Sequence, residues 1–136
     1  MKKIILFTFA IVLINSFFSN AQTTIKETKS ALSGKVEAYY FHMSVRCVTC
    51  KAVEAEAKKD LESLYGDKVS FRALNLEDDA NKAIVEKLKI PGQTLLLVKG
   101  DRQINITNEG FKYARNNPEK FKLIIKEKVD GLLKLQ

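Results

Sequence analysis

Cys47 and Cys50 are the only cysteines in a chain of 136 residues, and only Val48 and Thr49 lie between them. They follow the apolar run Val36 to Phe41 and precede a helical pattern that continues to Tyr65. Two cysteines delivered by a strand onto the first turn of a helix are suited to thiol–disulfide chemistry. The partial positive charge of the helix terminus stabilises a thiolate on the first cysteine. The second lies one turn on, close enough to close a disulfide, and neither has another partner in the chain. A zinc site would need further ligands, and the sequence offers no third cysteine and a single histidine, His42.

His42 and Met43 lie shortly before Cys47, which raises a second chemistry. Thiolate and thioether ligands suit Cu(I), so these residues with the two cysteines define an alternative copper-carrier reading. The plainer reading is that His42 and Met43 end a strand and pack at the sheet edge. His42 is also close enough in sequence to act as a base near Cys47. No resident metal or cofactor is expected.

The elements that must position the pair follow from periodicity. Residues 35–42 are dense in aromatic and β-branched types and too short for a helix, which predicts a buried strand. Residues 47–65 predict a helix with the apolar stripe Val53, Ala57, Leu61 and Leu64, a Glu54–Lys58 pair, and Gly66 as its stop. Residues 68–76 alternate as a second strand, with Val69, Phe71 and Ala73 on one face. Glu77, Asp78 and Asp79 cap a helix carrying Ala80, Ala83, Ile84, Val85 and Leu88, which Pro91-Gly92 should end. Thr94 to Val98 is a continuous apolar strand, Lys99-Gly100-Asp101 a turn, and Arg102 to Thr107 its alternating hairpin partner. Asn117 and Pro118 open a last helix with the stripe Phe121, Ile124, Ile125, Val129, Leu132 and Leu133. The order β-α-β-α-β-β-α predicts a central mixed sheet with helices on both faces.

The first residues read differently. Lys2 and Lys3, the apolar run Ile4 to Ile14, and Ser19-Asn20-Ala21 have the form of a signal peptide over residues 1–21, with Gln22 starting the mature chain. The run is shorter than the roughly 20 residues that a spanning helix needs, and no cysteine near the cut offers a lipid anchor. A periplasmic or secreted protein with no stable membrane anchor after cleavage is expected, in a compartment where disulfides persist. Residues 22–34 are a polar tail or short helix, and residues 35–136 form the domain. Losing Lys2 and Lys3, and no acid, takes the formal charge from +7 to +5. The lysines and glutamates are interleaved, as on an ordinary solvated surface, so no nucleic-acid partner is expected.

Over residues 35–136 the chain resembles the thioredoxin-like superfamily. The resemblance rests on strand, CxxC and helix in that order, on Leu74 to Asp78 (LNLED) closing the second strand, and on Thr94 to Arg102 (TLLLVKGDR). It implies an α/β thioredoxin-like fold with a mixed sheet of about four strands flanked by helices. It also implies roles: Cys47 as the exposed attacking thiol, Cys50 as the more buried resolving thiol, and mixed disulfides with protein substrates as intermediates. The implied partners are protein thiols or disulfides and a redox partner protein, with the chain itself a monomer.

The sequence departs from that family at its helper positions. Arg46 stands where the family keeps a tryptophan, and its charge should favour a thiolate. Counted from Cys47, the family's buried acid falls on Phe41; counted from Leu74-Asn75 of the second strand, the acid's lysine partner falls on Ala73. Gln93 takes the place of the proline before the third strand, with Pro91 just upstream. Val48 and Thr49, between the cysteines, tune the redox potential. These departures support a further alternative, a non-catalytic binding module in which the disulfide is structural.

Overall fold

The computed structural model describes residues 34–135; the predicted signal peptide and nearly all of the polar segment 22–34 lie outside them. The elements are β1 (Val36–His42), α1 (Val48–Tyr65), β2 (Val69–Asn75), α2 (Lys82–Leu88), β3 (Thr94–Lys99), β4 (Arg102–Asn105), α3 (Thr107–Tyr113) and α4 (Pro118–Leu133). The four strands form one sheet in the order β2-β1-β3-β4. β1 runs parallel to β2 and antiparallel to β3, and β4 returns antiparallel along β3.

β1 is a central strand covered on both faces, which is why its sequence is apolar almost throughout. Val36, Ala38 and Tyr40 point to one side, where Val53, Ala57 and Leu61 of α1 and Phe121, Ile125 and Val129 of α4 complete the larger core. Tyr39 and Phe41 point to the other side, where Leu88 of α2 packs with Leu74, Leu96 and Val98. The Leu95 to Val98 run splits the same way, its alternate residues serving opposite layers.

α1 ends as its sequence requires. Gly66 adopts φ +51°, a left-handed conformation that favours glycine, and its N–H donates to Glu62 O. α4 begins at the cap read from Asn117 and Pro118, with Lys120 N donating to Asn117 Oδ1 at 3.1 Å.

Three details differ from the sequence reading. α2 ends at Lys89, which takes the left-handed conformation (φ +54°), rather than at Pro91-Gly92. Glu54 pairs with Arg46 and not with Lys58, whose own partner is Glu62 at 4.0 Å. Finally, the hairpin strand stops at Asn105, and Thr107 opens α3. Asn105 Oδ1 accepts from Thr107 N (3.0 Å) and Oγ1 (2.6 Å), so the side chain turns the chain out of the ladder. Gly110 within α3 sits so close to α1 that a Cβ there would meet Val53 Cγ1 at 3.0 Å.

Candidate redox site

The site is built where β1 hands the chain to α1. Cys47 is the N-cap of α1 in an extended conformation, and its Sγ accepts a hydrogen bond from Cys50 N at 3.0 Å. Lys51 N donates to Cys47 O at 3.1 Å and closes the first turn. Cys47 and Cys50 are joined as a disulfide, with Cα atoms 5.0 Å apart. Cys47 is exposed, whereas Cys50 is buried with 6% of its surface accessible. An incoming sulfur can therefore reach only one of the pair.

The connection from β1 to α1 is tied to the end of β2. Leu76 N donates to His42 O at 2.8 Å, Ser44 N to Glu77 Oε2 at 2.7 Å, and Asn75 Nδ2 to Ser44 Oγ at 2.8 Å. These bonds to Ser44 hold the Glu77 carboxyl below its usual range. Met43, Val45 and Val48 are nonetheless exposed, Val45 at 93% and Val48 at 70%, so an apolar rim borders the disulfide.

Beneath the first turn of α1 lies Tyr40. Its ring is wholly buried, its hydroxyl donates to Cys50 O at 3.0 Å, and it accepts from Gln93 Nε2 at 2.5 Å. Gln93 Oε1 lies 3.8 Å from Cys50 Sγ. Burial pushes the Tyr40 phenol up, against the opposing effects of Gln93 and Arg46, so it stays a hydrogen-bond donor at neutral pH.

Counted back from Cys47, the acid position of the thioredoxin-like pattern falls on Phe41. The side chain that faces Cys50 belongs instead to Tyr40, one residue earlier, while Phe41 packs on the opposite layer with Leu88. Ala73 is exposed on β2, directly beside Tyr40 in the parallel ladder.

Of the other residues singled out in the sequence, Gln93 reaches the cysteine pair, whereas Pro91 is exposed in the connection from α2 to β3. No peptide bond among the described residues is cis, so Ile90-Pro91 is trans. Val48 is exposed and Thr49 half-buried on the first turn of α1. Arg46 forms an ion pair with Glu54 and sits 5.8 Å from the centroid of the Tyr40 ring, so its charge is matched by a carboxylate. His42 Nδ1 lies 3.0 Å from Met43 O. Among the described residues, no group of three or more His, Cys, Asp or Glu side chains converges.

Sequence reasoning missed Tyr40 and Glu54. The available signal for Tyr40 was strand alternation, which puts it on the same face as Val36 and Ala38, toward α1.

A mixed sheet ordered β2-β1-β3-β4, with a CxxC disulfide on the first turn of the helix after its central strand, makes this an α/β protein of thioredoxin-like fold. No protein-family model and no curated protein matches the chain. Among solved structures, it is similar to a malarial protein at 19% identity, covering 69% of this chain and 96% of that one, with a TM-score of 0.46. It is also similar to the germline-specific thioredoxin Deadhead from Drosophila melanogaster at 17% identity, covering 71% and 84% respectively, with a TM-score of 0.47.

Proposed function

We propose that the chain is an exported thiol–disulfide oxidoreductase that exchanges disulfides with protein substrates through Cys47 and Cys50. The observation that carries this reading is the asymmetry of the pair. Cys47 is exposed and receives a first-turn N–H on its sulfur, while Cys50 is buried one turn away within bonding distance. On reduction, the same N–H and the helix terminus stabilise a Cys47 thiolate. That thiolate attacks one sulfur of a substrate disulfide and expels the other as a thiolate, leaving Cys47 in a mixed disulfide. Cys50, as thiolate, attacks Cys47 Sγ; the Cys47–Cys50 bond forms and the reduced substrate leaves. The reverse sequence oxidises a substrate, and a redox partner protein resets the pair.

Thiol-driven reduction of insulin disulfides tests this reading. The wild-type protein is expected to accelerate the reaction, and Cys47→Ser to lower its turnover by about 100-fold or more, since a hydroxyl cannot replace the thiolate. Equal turnover from both proteins would overturn the reading. We further propose that the protein acts in the periplasm or outside the cell as a monomer freed of residues 1–21. Mass spectrometry of the protein recovered from that compartment should then find Gln22 as its first residue; an intact Met1 would sink the export.

One observation favours a second reading, a binding module stapled by its disulfide. The groups bonded around Cys50, Tyr40 and Gln93, are neutral and supply no acid–base pair. A Cys47–Cys50 reduction potential below about −300 mV would mark a structural staple.

A further inference from the structure

Cys50, Gln93 and Tyr40 form a closed ring of polar contacts around the inner sulfur. Tyr40 Oη donates to Cys50 O, Gln93 Nε2 donates to Tyr40 Oη, and Gln93 Oε1 faces Cys50 Sγ at 3.8 Å. Each atom's role is fixed by the next. Because the Tyr40 hydrogen is spent on the Cys50 carbonyl, the phenol oxygen can only accept from the amide, which turns Oε1 toward sulfur. In the disulfide, that oxygen meets a sulfur with no hydrogen. Reduction gives Cys50 an S–H, and among the described residues the only polar side-chain atom paired with its sulfur is then an acceptor already in place.

We propose that Gln93 is a positioning residue that holds the Cys50 thiol in its protonated form through Oε1, and so delays release of substrate from the mixed disulfide on Cys47. This rests on the exchange reading above. The resolving step needs the Cys50 thiolate. Its proton must pass to solvent hydroxide, because a glutamine amide and a neutral tyrosine accept none at neutral pH. The thiolate then attacks Cys47 Sγ, the Cys47–Cys50 bond forms, the bond from Cys47 to the substrate sulfur breaks, and the substrate leaves as a thiolate. The pair is oxidised and the substrate reduced, with no other reductant consumed. Gln93 therefore sets the lifetime of the captured substrate.

Two measurements test this. In Cys47→Ala protein, Cys50 carries the only thiol, and its S–H stretching band should lie below that of the urea-unfolded chain. Gln93→Leu should return the band toward the unfolded position; a band that does not move overturns the assignment. Separately, reduced protein is mixed with dithiobis(nitrobenzoate), which releases one nitrothiolate when Cys47 is captured and a second when Cys50 resolves. The second release should quicken about tenfold per pH unit near neutrality, as for a thiol with no internal base. Gln93→Glu, which supplies a carboxylate at the same reach, should make it at least about tenfold faster at neutral pH and flatten its pH dependence. An unchanged second phase in Gln93→Glu also overturns the assignment. A band that shifts as expected while no variant gives a second release would leave Gln93 as the acceptor and refute the exchange reading instead. Two normal releases with an unmoved band would do the reverse.

Discussion

Tyr40→Ala is expected to lower the free energy of unfolding of the oxidised protein by about 4 kcal/mol, and Tyr40→Phe by about 1 kcal/mol. The difference separates the two uses of one side chain. The ring is wholly buried in the layer that joins the sheet to α1 and α4, so its removal leaves a cavity among Val53, Leu95 and their neighbours. The hydroxyl bonds to Cys50 O and Gln93. Phenylalanine keeps the ring and loses only those bonds, leaving the carbonyl and amide to find other partners. Urea midpoints at constant slope measure both values. Equal losses in the two variants would place the whole effect in the hydroxyl and contradict the packing role.

Asp60→Asn is expected to stabilise the protein by about 2 kcal/mol at neutral pH, an effect that disappears in acid. Asp60 lies on the inner stripe of α1, between Ala57 and Leu61, with 1% of its surface accessible. Its Oδ2 is buried and has no hydrogen-bond partner among the described residues. Burial pushes its carboxyl up from the ordinary value of 3.8; Lys59 and Lys122 pull it back in part, and Glu56 and Glu119 add to the rise. The sign follows from linkage. The folded state holds this proton more tightly than the unfolded chain, so below 3.8 both are protonated and burial costs little. As pH rises from that value through the raised folded value, the unfolded chain ionises first and stability falls; above the folded value the full cost is present. Unfolding wild type and Asp60→Asn in acid and at neutral pH should show the gap opening with pH. A gap of constant size would trace the effect to shape and not to ionisation.

Asp60 also shows where reading the chain alone runs out. Val53, Ala57 and Leu61 announced the buried stripe of α1, but helical spacing does not reveal that an acid joins it when the facing helix begins far along the chain. Elements with two independent signals were legible. β1 combined composition with length, α1 combined its stripe with Gly66, and α4 combined Asn117-Pro118 with Phe121, Ile125, Val129 and Leu132. α3 was not legible, because Ile104 and Ile106 continue the period-two pattern of β4 while Ile106 enters the core from the end of that strand. The exposed and buried members of the cysteine pair are as the thioredoxin-like resemblance implies. Gln93 is singled out by its place before the third strand, but its meeting with Tyr40 was not legible. Tyr40 and Gln93 are 53 residues apart and meet only because β1 and β3 are neighbours in the sheet. Counting back from Cys47 lands on Phe41, which faces the other layer, while Tyr40 faces Cys50, because the number of residues between strand and cysteine is set by a loop whose length no periodicity constrains.

The strand order has one more effect, on the company the molecule can keep. β2 and β4 are the two margins of the sheet, and each presents an exposed arginine, Arg72 on one and Arg102 on the other. Arg72 is held 5.8 Å from the centroid of the Tyr39 ring, in the middle of its strand, and β4 is only four residues long. A charged, short margin is a poor template for an extended chain seeking a strand partner. With both margins guarded in this way, the sheet is a poor place for a foreign segment to add itself as a fifth strand.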